Sequence, residues 1–142
     1  MNTLKYYKGE LLSELEAVCG GTVYLRIKVI PESYPCGAYE FKGYETRNET
    51  DSRQMVGDLL FSLYIVEDVT DYGNQGDIWI KGAGEVPELG ESVWDKASQL
   101  SINLKQKRIH TDMIDIYPML GDGGRDLICA RIDVRCKSRL GE

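Results

Sequence analysis

Cys36, followed directly by Gly37, and the single histidine, His110, are the side chains of this 142-residue chain that could form a nucleophile and its base. A thiol becomes a nucleophile when a neighbouring cation or a helix start lowers its pKa, and the residues flanking Cys36, Pro35 and Gly37, supply neither. The pair supports one rival reading, a small cytoplasmic thiol hydrolase or ligand-binding module using Cys36. The other cysteines, Cys19, Cys129 and Cys136, form no CxxC pair. Structural zinc sites draw ligands from close pairs, so the four thiols are expected to be reduced and buried instead. Residues 71–77 offer aspartates and glycines, but their spacing fails the calcium-loop pattern and no glutamate closes it. A turn followed by a short strand at 78–80 is the simpler reading. Gly121-Asp122-Gly123-Gly124-Arg125 is glycine-rich, yet a phosphate cradle needs a helix after it, and a strand pattern follows. Carboxylates are plentiful everywhere and therefore mark no general acid or base. The expectation is a chain without catalytic residues, metal or cofactor.

The composition fits that expectation. A hydrophobic fraction of 42% and a charged fraction of 28% belong to an ordinary globular domain, and the length suits one domain, 1–142, with a real core. Every apolar run is shorter than the roughly 18 residues needed to span a membrane. The opening residues lack the apolar segment of a signal peptide, so the chain is expected to stay in a cytoplasm. Lys and Arg total 17 against 23 Asp and Glu, a net charge of -6, which argues against general affinity for nucleic acid. DNA merely passing through a channel is compatible with it.

The elements that position these residues follow from periodicity. Residues 55–66 hold the longest apolar run, and Leu59, Phe61, Leu63 and Ile65 recur at every second position, as in a strand with one buried face. Before it, Leu4, Tyr7, Leu11, Leu15 and Val18 place one stripe on a helix over residues 3–18, stopped by Cys19-Gly20-Gly21. Residues 22–30 alternate, with Val23, Leu25, Ile27 and Val29 on one side, and predict a strand ended by Pro31. Residues 38–44 predict another, whose Tyr39, Phe41 and Tyr44 could serve equally as core or as contact surface. Residues 45–54, with Arg47 and Arg53, read as a polar arm. An acidic loop covers 68–88, and residues 67–95 hold eight acids against one base, Lys81. Val93, Ala97, Leu100 and Leu104 define a helix over 91–107, with acids near its start and Lys105, Lys107 and Arg108 near its end, as the helix dipole prefers. Two strands close the chain: 113–120, with Ile114 and Ile116, and 127–136, with Ile132 and Val134 inward and Arg131, Asp133 and Arg135 outward. The 121–125 segment joins them as a hairpin.

The order α-β-β-β-α-β-β predicts an α+β domain, an antiparallel or mixed sheet of about four to five strands with both helices on one face. In this pattern the chain resembles the tail terminator and related neck or tail-completion proteins of long-tailed bacteriophages and prophages. The likeness runs through the helix ending at Cys19-Gly20-Gly21 and the paired strands at 22–30 and 38–44. It continues through the arm leading into Gly57-Asp58-Leu59-Leu60-Phe61-Ser62-Leu63-Tyr64-Ile65-Val66, the helix at Ser92-Val93-Trp94-Asp95-Lys96-Ala97, and the last two strands. The acidic insertion at 70–88 is longer than the family usually has.

The resemblance implies a structural virion-assembly protein rather than an enzyme. Family members form homo-oligomeric rings, commonly hexamers, that cap the tail tube and dock the head connector, while DNA passes through without sequence-specific binding. It implies a location in the virion tail, reached through the host cytoplasm during assembly, with tail-tube and connector or neck proteins as partners and no membrane. A ring built on one repeated contact needs two different matching patches per subunit. Acidic 67–95 and basic 105–139 are candidates, with Tyr39, Phe41, Tyr44, Arg47, Arg53, Arg131 and Arg135 as expected contact residues. A monomeric adaptor is the remaining alternative.

Overall fold

The computed structural model describes residues 3–20, 22–24, 33–46, 56–69 and 85–139. Within them the elements run α1 (Thr3–Cys19), β1 (Thr22–Tyr24), β2 (Cys36–Thr46), β3 (Val56–Asp68), α2 (Glu85–Gln106), β4 (His110–Leu120), a short 3-10 turn (Asp122–Gly124) and β5 (Asp126–Arg139). The five strands form one sheet in the order β1-β2-β3-β5-β4. The architecture is α+β, in the element order expected from the periodicity. The sheet is mixed because β1 pairs parallel to β2, while every other neighbouring pair is antiparallel. Expected strand residues 25–30, including Leu25 and Ile27, the short strand at 78–80, and most of the arm and the acidic loop lie outside the described residues.

β3 is the middle strand, paired along its length to β2 on one side and β5 on the other. Its odd-numbered residues Leu59, Phe61, Leu63 and Ile65 are buried under the helices with Ala130, Ile132, Val134 and Cys136 of β5. From the helices come Leu11 and Leu15 of α1 and Val93, Ala97, Leu100 and Leu104 of α2. Ile114 and Ile116 pack on the same cluster only partly buried, because β4 is an edge strand. β3 and β4 each run antiparallel to β5, so they are parallel to each other, and the connection through α2 crosses over the intervening β5.

Two bulges correct the simple alternation. One extra residue between Phe41 and Gly43 switches β2 from odd to even inward positions, so Phe41 and Tyr44 both face the helices. A second, between Thr111 and Met113, releases Asp112 from pairing at the start of β4. In the β4–β5 hairpin the Gly121 amide donates to the Arg125 carbonyl at 2.8 Å, and Gly123 and Gly124 take positive φ of 69° and 77°, as the turn reading requires.

The helix ends differ in kind. α1 ends at Gly20 with φ 78°, the left-handed stop expected from the sequence. At the end of α2 that position is held by Arg108, with φ 64°. The amides of Arg108 and Ile109 donate to the carbonyls of Lys105 and Leu104, both at 3.0 Å, and buried Ile109 joins Leu104 in the core. This is a Schellman stop carried by a residue with a Cβ, which costs roughly 1–2 kcal/mol in the left-handed region. α2 also begins six residues earlier than the expected 91, since Pro87 is tolerated in a first helical turn. Across the helices, the Lys107 ammonium pairs with Glu10 and, at 2.8 Å, with Glu14. Lys96 reaches Glu67 of β3 at 2.6 Å, where Ser92 also donates, at 2.8 Å. No helix among the described residues is long and apolar enough to cross a membrane.

Arg108→Gly is expected to stabilise the dilute protein by about 0.5–1 kcal/mol, the relief of the left-handed cost less the entropy glycine adds to the unfolded chain. Thermal denaturation followed by circular dichroism should show the midpoint rising by about 2–4 °C.

Candidate assembly surface

Both helices lie on one face of the sheet, and the opposite face is built from the alternate residues of each strand. Cross-strand register sets these out in rows. Cys36, Val66, Cys129 and Tyr117 form the first; Ala38, Tyr64, Arg131 and Asp115 the second; Glu40, Ser62, Asp133 and Met113 the third. Gly43, Leu60, Arg135 and His110 form the fourth, and Glu45, Asp58 and Lys137 the fifth.

The middle and far rows are polar and mutually paired. Ser62, fully buried on the central strand, donates its hydroxyl to Asp133 at 2.6 Å. Arg131 approaches Asp115 at 3.8 Å and Asp133 at 3.6 Å. Arg135 gathers three carboxylates: Asp112 at 2.8 Å, Asp58 at 3.1 Å and Glu45 at 3.3 Å. These acceptors push its pKa up, with Asp112 the largest contributor. Asp58 is 2% exposed, so its charge is held away from water by this one guanidinium and its neighbours. The bulge at Asp112 is what lets that carboxylate reach Arg135.

The first row opens into a pocket of about 120 Å³, walled by Tyr24, Tyr34, Tyr64 and Tyr117 with Met119 and Leu127. Arg125, ion-paired to Asp68 at 3.1 Å, lies 5.7 Å from the centre of the ring of Tyr34, one of the pocket's walls. The pocket walls hold two thiols, Cys36 and Cys129. Burial pushes Cys36 up to about 11, and Cys129 is likewise raised by burial. Burial raises Tyr117, whose hydroxyl also hydrogen-bonds Cys129. Groups shifted in this direction stay protonated at neutral pH, so they offer contact surface and weak hydrogen bonds rather than nucleophiles.

All four cysteines are free and buried, the state read from their spacing. Cys36 and His110 stand far apart. The Cys36 row ends on β4 at Tyr117, seven positions along the strand from His110, a separation on the order of 20 Å. They do not form a dyad. Among the described residues no three His, Cys, Asp or Glu side chains come together to hold a metal ion.

The expected contact residues fall on two faces. Tyr39 and Tyr44 lie on the helix side, packed against the core, and the Tyr44 hydroxyl donates to the Ser138 carbonyl at 3.3 Å. Phe41, 39% exposed, tilts against Phe61 with ring centres 5.2 Å apart, under the Lys8 ammonium. Arg131 and Arg135 lie on the opposite face, within the ion-pair rows. Arg47 and Arg53 lie outside the described residues. The sequence reading did not single out the tyrosine pocket. Its signal was an excess of tyrosine, nine against two phenylalanines, at outward strand positions such as 64 and 117.

Compared with known protein families and with curated proteins, the chain has no match.

Two outcomes follow. Asp58→Ala, which leaves Arg135 facing a desolvated gap, is expected to cost about 2–4 kcal/mol in urea denaturation, whereas Glu45→Ala, at the exposed end of the same network, should cost under about 0.5 kcal/mol. In the native protein at pH 8 a disulfide-exchange reagent should titrate none of the four thiols rapidly, and all four should react once guanidinium unfolds the chain.

Proposed function

We propose that the chain is a ring-forming subunit of a phage-type tail, one that caps the tail tube and joins it to the head connector while DNA passes through the centre. The observation that carries this reading is the sheet face opposite the helices, which no other described element covers: ordered ion-pair rows at one end, a tyrosine-walled pocket at the other, and thiols held in their inert form. Such a face is suited to adhesion. Its aromatic and arginine content is that of residues which dominate protein–protein contacts. The two-layer order α-β-β-β-α-β-β, on which the likeness to tail terminator and neck proteins rests, supports the same reading. Charge supports it further, because an acidic stretch at 67–95 and a basic stretch at 105–139 supply two unlike patches for one repeated contact. In this account the polar arm, 45–54, reaches a neighbouring subunit or the tube, and the protein resides in the virion tail after assembly in the host cytoplasm.

Deleting residues 47–52 tests the arm. Light scattering should show ring formation lost or weakened by about tenfold or more, with the melting temperature little changed. Unchanged assembly and unchanged binding to tail tubes would remove the arm from the contact.

A further inference from the structure

The two ends of the sheet carry unlike side chains. β4 forms one edge, and its outward residues Met113, Asp115, Tyr117 and Met119 make a stripe about 20 Å long on the face opposite the helices. Met113 is 51% exposed, Met119 and Leu120 are exposed along the same strand, and Asp115 is the one carboxylate of the stripe. Asp115 comes no closer to Arg131 than 3.8 Å, so its oxygens can still accept a hydrogen bond from outside the chain. At the other end, α1 begins over β2. Tyr6, 51% exposed, and Phe41 are the exposed aromatics there, and the Lys8 ammonium lies 5.8 Å from the centre of the Phe41 ring. Among the described residues Lys8 meets no carboxylate. The first turn of α1 holds Lys5 and no acid, and Lys8 follows in the next turn. The helix dipole disfavours cations at that end, so neither the dipole nor an internal ion pair accounts for Lys8. Five of the seven large apolar side chains exposed among the described residues lie at these two ends of the sheet, grouped rather than scattered.

The two groups cannot meet within one chain. Three strand spacings, about 14 Å, separate β2 from β4, and Phe41 faces the helices while Asp115 faces away from them. They complement each other instead: two aromatic rings and an ammonium without a carboxylate at one end, thioethers and a half-satisfied carboxylate at the other. We propose that the outward stripe of β4 receives the α1–β2 corner of a second copy, with Asp115 accepting from Lys8 Nζ and with Met113 and Met119 packed on Tyr6 and Phe41. The contact joins opposite ends of two copies, so each keeps one end open for the next. The inference rests on the ring reading and names the ends that meet.

A charge swap on the full chain tests it. Lys8→Glu and Asp115→Lys should each weaken self-association about tenfold or more in sedimentation velocity, and the two variants mixed should recover assemblies of the wild-type size. Two milder changes at exposed positions, Asp115→Asn and Met113→Ser, should each weaken association about threefold while leaving the urea midpoint of the monomer in place. Assembly that survives Lys8→Glu and Asp115→Asn undiminished, or charge-reversed variants that fail to rescue each other, would overturn the inference and leave the ring reading standing. A wild-type chain that stays monomeric at all concentrations would overturn both.

Discussion

Everything in this fold hangs on the two unlike faces of β3. Its inward residues Leu59, Phe61, Leu63 and Ile65 form the floor on which both helices sit, and each side chain buried there contributes roughly 1.5–3 kcal/mol. The strand is paired on both edges, so it cannot slip by one residue without sending that whole set to the other face. Its outward residues, on the face opposite the two described helices, find partners on the neighbouring strand. Ser62 and Asp58 are buried all the same, and their partners include Asp133 and Arg135. The polar rows of the free face are therefore a structural consequence of the central strand's sequence as much as a surface.

That arrangement separates rigidity from contact. Arg135 ties together β2, β3, β4 and β5 through Glu45, Asp58 and Asp112, so the far end of the free face is fixed in register. The near end ends in tyrosines and in Leu120, 85% exposed, around a pocket that would hold about one side chain. On the helix side, Ser92 and Lys96 tie the middle of α2 to Glu67 of β3, and Lys107, just past its end, ties it to α1.

Much of this was legible in the sequence because it is local. Period-two runs identified β3 and β5 with their inward residues, and the three- and four-residue steps identified both helices and their buried stripes. The glycine after Cys19 marked the end of α1. The remainder depends on distant parts of the chain. No local pattern announces the bulges beside Phe41 and at Asp112, yet they decide that Tyr44 faces the helices and that Arg135 gains a third carboxylate. The parallel pairing of β1 and the placement of β5 between β3 and β4 follow from packing, and they bring Tyr24, Tyr34, Tyr64 and Tyr117 around one pocket. The acidic loop was expected to run to 88, although a proline fits a first turn and Pro87 lies in that of α2. Arg108 occupies a position where glycine is the usual signal, so the Schellman stop was invisible as well.

The central claim is that this chain closes into a ring through one repeated, heterologous contact. Native mass spectrometry of the unmodified protein across a range of concentrations tests it most directly. The account predicts a single closed stoichiometry above the monomer, with no larger species as concentration rises. A chain that remains monomeric throughout, or that grows into an open-ended ladder of oligomers, would contradict it.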